Sequence, residues 1–277
     1  MQRKLFLVGM LFCGENERAQ AVAALERQEL ESWDLFVLEN LPNKAAHDAL
    51  YGEFMARAAD YDFFLKLDAD MVFRHERGLT TIRDLFAADP GLEGMMFDVH
   101  DWYSDYLTPG LQVFRSSVRW APHADPLMVD PMPRMTGRAV RVTKAPAPLV
   151  VHSPDPSPLQ AFRFGVHRAM KMLQLDRPAA ARDRGRFEVH YVILQATWDK
   201  LRESNDARRA LAIAGAEYVA REGSALFGRA YTDPAVDALF RQRFATPGSR
   251  DLVAHCAAAW DDAQENRARL LGLFGAA

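Results

Sequence analysis

The feature that most constrains this chain is an alternation through its first hundred residues, where apolar runs of strand length trade places with helical patterns. Lys4 to Leu11 is a continuous apolar run, the mark of a strand covered on both faces. Glu15 to Leu30 carries Val22, Leu25 and Leu30 at helical spacing, with acidic residues in the first turn where the helix dipole favours them. Asp34 to Glu39 reads as a second strand, and Asn43 as the cap of a helix running to about Ala59. Phe63 to Leu67 is a third strand that ends in Asp68-Ala69-Asp70. Thr81 to Ala88 is helical again, stopped by Asp-Pro-Gly, and Leu92 to Val99 is a fourth strand. Alternation at this pitch predicts an α/β fold: a mostly parallel sheet with helices on both faces.

Beyond Tyr103 the texture changes. Prolines at 109, 122, 126, 131, 133, 146 and 148 forbid long helices and predict short strands between loops of the kind that bind ligands. After Ser157 the chain reads as helical to its end, with breaks near Pro178, Asn205, Pro234 and Pro247. We therefore expect an α/β domain over 1–157 and a mainly helical C-terminal region over 158–277 packed on it. Trp198, Tyr218 and Trp260 in that region serve packing, an acceptor or a homodimer contact.

Composition narrows the function classes. With 49% hydrophobic and 26% charged residues, disorder, collagen-like fibre and coiled-coil rod are excluded. A net charge of -3 supplies no global attraction for nucleic acid or acidic membranes. Cys13 and Cys256 lie too far apart in sequence for a disulfide framework or a zinc site and read as reduced thiols. Leu5 to Cys13 is about half a membrane span, and Gly14-Glu15-Asn16-Glu17 follows at once without a small-residue cleavage site. A buried first strand, no transmembrane segment and a cytoplasmic address are the expectations.

The stretch richest in chemistry is Tyr61 to Phe73, where an apolar strand delivers Asp68 and Asp70 at its C-terminal end. In open α/β sheets that edge is where ligands bind. Two carboxylates there repel each other unless a cation lies between them, and a hard divalent ion suits oxygen ligands. The plain alternative is a strand leaving the core through a polar turn.

In this order of elements, the Asp-x-Asp resembles the nucleotide-sugar domain of GT-A-fold glycosyltransferases, family-2-like, whose sheet is Rossmann-like. Cys13 to Glu17 after the first strand, Leu25-Glu-Arg-Gln28 ending the first helix, and Glu39 ending the second strand match that layout. The similarity covers roughly 4–100 well and 100–170 loosely, and leaves out the C-terminal helices. It implies a metal-dependent hexosyl or related transferase. The donor would be a UDP- or GDP-linked sugar, and the acceptor a glycan, a lipid-linked molecule or a small molecule. It implies Mn²⁺ or Mg²⁺ on Asp70, with Asp68 on the metal, its water or the ribose. It also implies Glu15 and Glu39 on the donor, and a downstream metal ligand.

His152, which ends the short apolar run Pro148 to Val151, is the candidate for that ligand, with Asp155 as its fallback. Lys44 and His47, at a helix start aimed at the same edge, and Lys66 on the third strand are candidate donor contacts. A capping Asn43, a surface His47 and a solvated Lys66 are the plainer alternatives. Arg163 and His167 share a helix face and offer positive charge to a leaving diphosphate, or simply form a solvated basic face. The catalytic base is expected at Asp130, with Asp101 next. Trp102, Tyr103, Tyr106 and Trp120 suit the apolar face of a sugar ring, or packing.

Two other readings stay open. A haloacid-dehalogenase-like phosphatase would use Asp68 as nucleophile and Asp70 as acid/base. A non-catalytic nucleotide- or glycan-binding protein would keep the fold without turnover.

Overall fold

Backbone pairing gathers the apolar runs into one eight-stranded sheet. A computed structural model of the chain describes residues 3–122, 125, 127, 138–142, 148–223, 230–244 and 256–276. The chain divides into two compact units: Met1–Trp102 with Tyr106–Asp155, and Tyr103–Asp105 with Pro156–Ala277.

The first unit holds β1 (Lys4–Phe12), α1 (Arg18–Glu26), β2 (Trp33–Glu39), α2 (Asn43–Ala56), β3 (Tyr61–Asp68), β4 (Met71–Phe73) and α3 (Gly78–Ala88). It continues through β5 (Leu92–Asp101), β6 (Tyr106–Arg115), β7 (Arg138–Val142) and β8 (Val150–His152). The strand order is β2-β1-β3-β6-β5-β8-β4, with β7 also paired to β5. The pairs β1–β2, β1–β3, β5–β7 and β5–β8 are parallel; β3–β6, β5–β6 and β4–β8 are antiparallel. This is an α/β unit whose mostly parallel sheet is flanked by helices.

The continuous apolar runs follow from two-sided burial. On one face Phe6, Val8 and Met10 pack with Phe63, Leu65 and Leu67 against Leu25 of α1 and Ile82 and Phe86 of α3. On the other, Leu7 and Phe64 meet Leu50, Tyr51 and Phe54 of α2 and Trp120. Alternate side chains of one strand thus enter two cores, so neither face needs polar residues. At Gly9 a Cβ would lie 2.3 Å from Leu50 Cδ1, so α2 rests almost directly on the β1 backbone.

Three local expectations are corrected. Asn43 is the first residue of α2, not its cap; Pro42 holds the cap position, and no side chain caps the helix there. Helix α1 begins at Arg18 rather than Glu15, because the Glu15 side chain folds back onto Cys13. The proline-marked stretch after Tyr103 contains the ten-residue strand β6. Its Pro109 lies beside the register shift at Phe97/Asp98, where a missing N–H costs the ladder least.

The second unit is built from α4 (Pro158–Leu173), α5 (Arg184–Ser204), α6 (Ala207–Glu222), α7 (Pro234–Arg243) and α8 (Ala263–Gly275). Ser157 opens α4 with a full capping box, and Asp183, Asp206, Asp233 and Asp262 cap the next four helices through their side chains. Asn205 ends α5 in the left-handed region at φ 52°. Trp198 and Trp260 lie in the core of this unit and Tyr218 packs against it. Among the described residues no helix is long and apolar enough to cross a membrane.

Helices α4 and α6 approach through glycine: a Cβ at Gly165 would fall 1.7 Å from the Ala212 carbonyl oxygen, and one at Gly215 2.2 Å from that of Phe162. Neither clash can be relieved by turning a side chain, because the obstacle is backbone. Gly165→Ala is therefore expected to lower unfolding free energy by about 2–3 kcal/mol in urea titration. Gly52→Ala, where a Cβ meets nothing within 4 Å inside α2, is expected to raise it by about 0.5–1 kcal/mol. Equal stability of the Gly165 variant and wild type would show that the helices do not touch this way.

Candidate active site

Strand directions decide where the site lies. β1 runs parallel to β3, β3 and β5 are both antiparallel to β6, and β5 is parallel to β8. Phe12, Asp68, Asp101 and His152 therefore end their strands at one edge of the sheet.

Beyond β3 the chain makes a tight turn at Ala69-Asp70 and re-enters the sheet as β4. The turn is tied to the end of β1 by a bond from Ala69 N to Leu11 O of 3.0 Å. Asp70 is then gripped by the residues that end β8. Ser153 N donates to the Asp70 carbonyl at 2.7 Å, and Ser153 Oγ donates to Oδ2 at 3.0 Å. His152 Nε2 stands 3.3 Å from the same Oδ2. Ser153 reaches this geometry from a left-handed backbone with φ 50°. On its other side, His152 Nδ1 lies 2.7 Å from Oδ1 of Asp101, which has no exposed surface. The His152 carbonyl accepts from Trp102 N at 3.1 Å.

His152 thus sits between two carboxylates. Burial pulls its pKa down, but the charge of Asp70 and the bond to Asp101 outweigh that and push it up to about 10. For Asp70, burial works upward, and the charge and hydrogen bond of His152 hold the carboxyl below its usual range. A carboxylate at each nitrogen favours the charged form of the ring. One atom stays outside the arrangement: Asp70 Oδ1 is buried and has no hydrogen-bond partner among the described residues.

Glu15 and Asp68 complete the edge. Glu15 accepts from Cys13 N at 2.6 Å and from Cys13 Sγ at 2.8 Å. Burial, then the charge of Asp70, raise its pKa. Asp68 Oδ2 accepts from Lys66 Nζ at 3.0 Å. Lys66 is not a solvated strand lysine: its side chain is 6% exposed and its charge is turned toward Asp68.

The remaining candidates have partners of their own. Glu39 is paired with Arg18, whose guanidinium lies 4.3 Å above the Phe12 ring. Lys44 pairs with Asp48 one turn along α2 at 2.6 Å. His47 is buried rather than on the surface, its Nδ1 2.9 Å from the Asn43 carbonyl. Arg163 makes two bonds to Asp237 on α7, at 2.9 and 2.6 Å, and His167 stacks on Tyr231 at 4.1 Å, both inside the helical unit. The Arg163 fork is thus paired with a carboxylate on α7. Asp155 donates its N–H to the buried Glu17 at 3.1 Å and accepts at its carbonyl from Asn16. Asp130 lies outside the described residues. Asp101, the second candidate for the base, has no exposed surface and is bonded to His152.

Ser153 and Glu17 were not singled out in the sequence. The signal for Ser153 was its place directly after a strand-ending histidine; Glu17 carried none beyond its acidic neighbourhood.

No protein-family model matches the chain, and no curated protein matches it. Similar solved structures include a glycosyltransferase involved in the glycosylation of the major capsid of PBCV-1. It is 17% identical with TM-score 0.29, over 39% of this chain and 60% of that one. Another is the mannosyltransferase PcManGT from Pyrobaculum calidifontis in complex with GDP-Man and Mn²⁺, 12% identical with TM-score 0.36, over 99% and 86%. A third is S. aureus TarS, 10% identical with TM-score 0.36, over 97% and 55%. The chain thus spans less than two thirds of the length of the first and third of these proteins.

The clamp has an energetic consequence. His152→Ala strips Asp101 of its cation inside the protein, and removing one partner of a buried pair costs about 3–5 kcal/mol. Adding Asp101→Asn removes the stranded charge, so the double variant is expected to recover at least about 1 kcal/mol in a denaturation cycle. Strict additivity of the two substitutions would mean that the pair does not exist in solution.

Proposed function

We propose that the chain transfers a glycosyl group from a nucleoside diphosphate donor to an acceptor, with a divalent cation held at Asp70. The observation that carries this reading is the buried, unpartnered Oδ1 of Asp70. A buried carboxylate oxygen without a donor costs folding free energy, and it persists where a ligand supplies the partner.

The donor set fits such an ion. Asp70 Oδ1 is a hard oxygen, Asp68 stands two residues away, and His152 Nε2 is an imidazole nitrogen of the kind Mn²⁺ accepts. Among the described residues no group of three or more His, Cys, Asp or Glu side chains is arranged as a metal cage. His152 would have to lose its proton before ligating, so the two aspartates come first.

A bound divalent ion would supply the charge that stabilises the departing diphosphate. The chain's own residues prepare the place for it. Ser153 and His152 hold Oδ2 of Asp70, which leaves Oδ1 as the oxygen on offer. Asp101 keeps the His152 ring from rotating. Lys66 orients Asp68 and offsets its charge until a ligand arrives. Asp130 remains the proposed base for the acceptor hydroxyl, and Glu15 and Glu39 remain proposed donor contacts.

Thermal unfolding with UDP- and GDP-linked hexoses plus Mn²⁺ tests the reading. A donor at a hundred times its Kd stabilises by about 2.7 kcal/mol, and the gain is expected to need metal. Asp70→Ala is expected to abolish the metal-dependent part. No stabilisation by any nucleotide sugar with Mn²⁺ or Mg²⁺ would refute the proposal. Hydrolysis of p-nitrophenyl phosphate that Asp68→Asn eliminates would replace it with the phosphatase reading, and metal-dependent binding without transfer with the binding-protein reading.

A further inference from the structure

Of the four aromatic residues with the chemistry to meet a sugar ring, Trp102, Tyr103 and Tyr106 follow the end of β5 and Trp120 follows β6, and burial separates them. Tyr103 has no exposed surface and stacks on Phe164 with ring centres 3.9 Å apart. Trp120 is 6% exposed, stacked on Tyr51 at 4.9 Å and edge-on to Phe114 at 5.3 Å. Trp102 is half-buried. Tyr106 is 49% exposed, the one aromatic ring among the exposed large apolar side chains of the described residues.

Pairing register puts that ring beside the site. Tyr106 stands opposite Asp101 in the antiparallel β5–β6 pair, and Asp101 stands opposite His152 in the parallel β5–β8 pair. Residues directly opposite one another share a face of the sheet, with Cβ atoms about 5 Å apart. Tyr106, Asp101 and His152 therefore form one row across three strands, with the aromatic ring as its solvent-facing end. The next exposed apolar residue, Leu107, pairs with His100 and belongs to the opposite face.

We infer that Tyr106 is a stacking platform for a pyranose ring of the acceptor, and that the acceptor is a carbohydrate; this rests on the transferase reading above. An acyl chain needs a broad apolar patch, whereas here a single ring adjoins buried charge. A pyranose matches both neighbours, with a C–H face for the tyrosine and hydroxyls for the polar edge.

Saturation-transfer difference NMR on the full chain with Mg²⁺ tests this. The probes are methyl α-D-mannopyranoside, methyl β-D-glucopyranoside, methyl β-D-galactopyranoside and dodecyl phosphate. Ring-proton saturation of at least one pyranoside is expected with wild type and Tyr106→Phe. Losing the aromatic face is expected to cut it about three- to tenfold in Tyr106→Ala. Tyr106→Leu, which keeps apolar bulk without a ring, is expected to behave like the alanine variant. Saturation of no pyranoside, equal signals from wild type and both ring-less variants, or Tyr106-dependent saturation of dodecyl phosphate alone would each overturn the inference. The nucleotide-sugar thermal shift on the same samples reports separately on the transferase reading. Its absence counts against that reading, while the pyranoside signal still decides whether Tyr106 binds a sugar.

Discussion

Two carboxylates delivered to neighbouring strand ends must find positive charge, and the sheet order determines which residue supplies it. β8 lies between β5 and β4, so the residue that ends it faces Asp101 on one side and the turn carrying Asp70 on the other. A charged histidine in that position offers an N–H to each carboxylate at once. Its elevated pKa is the electrostatic counterpart of the geometry, because each carboxylate favours the charged ring. The edge is therefore held by charge as well as by backbone pairing, and its shape depends on three side chains that come from separate parts of the chain.

The strands of the sheet centre were legible because two-sided burial leaves an unmistakable mark. Leu5 to Leu11 and Phe63 to Leu67 enter cores on both faces and tolerate little else. β6 was illegible for the opposite reason. Its Pro109 and Gly110 are turn residues by composition, and only pairing with a bulged β5 makes them strand. The start of α4 is readable after Ser157, which caps it, and α2 is read correctly except for its cap, which is Pro42 rather than Asn43.

The site divides along the same line. Asp68 and Asp70 were visible because they are neighbours in sequence at the end of an apolar strand. The clamp was hidden because its members lie far apart along the chain and meet only through register. Asp101, His152 and Ser153 carry no shared local pattern; their roles follow from β8 inserting between β5 and β4. For Lys66 it is the plainer, solvated alternative that fails, because that face of the strand is itself covered.

The two oxygens of Asp70 show how the edge separates structure from chemistry. Oδ2 is engaged by Ser153 and His152, and these bonds fix the carboxylate's plane. Oδ1 is buried in the same environment without a hydrogen-bond donor among the described residues. A symmetric carboxylate with both oxygens satisfied would be a structural turn and nothing more. One with neither satisfied would rotate or take up a proton. Holding one oxygen and leaving the other gives a negative atom of fixed position, desolvated in advance, at the edge where parallel sheets present ligands.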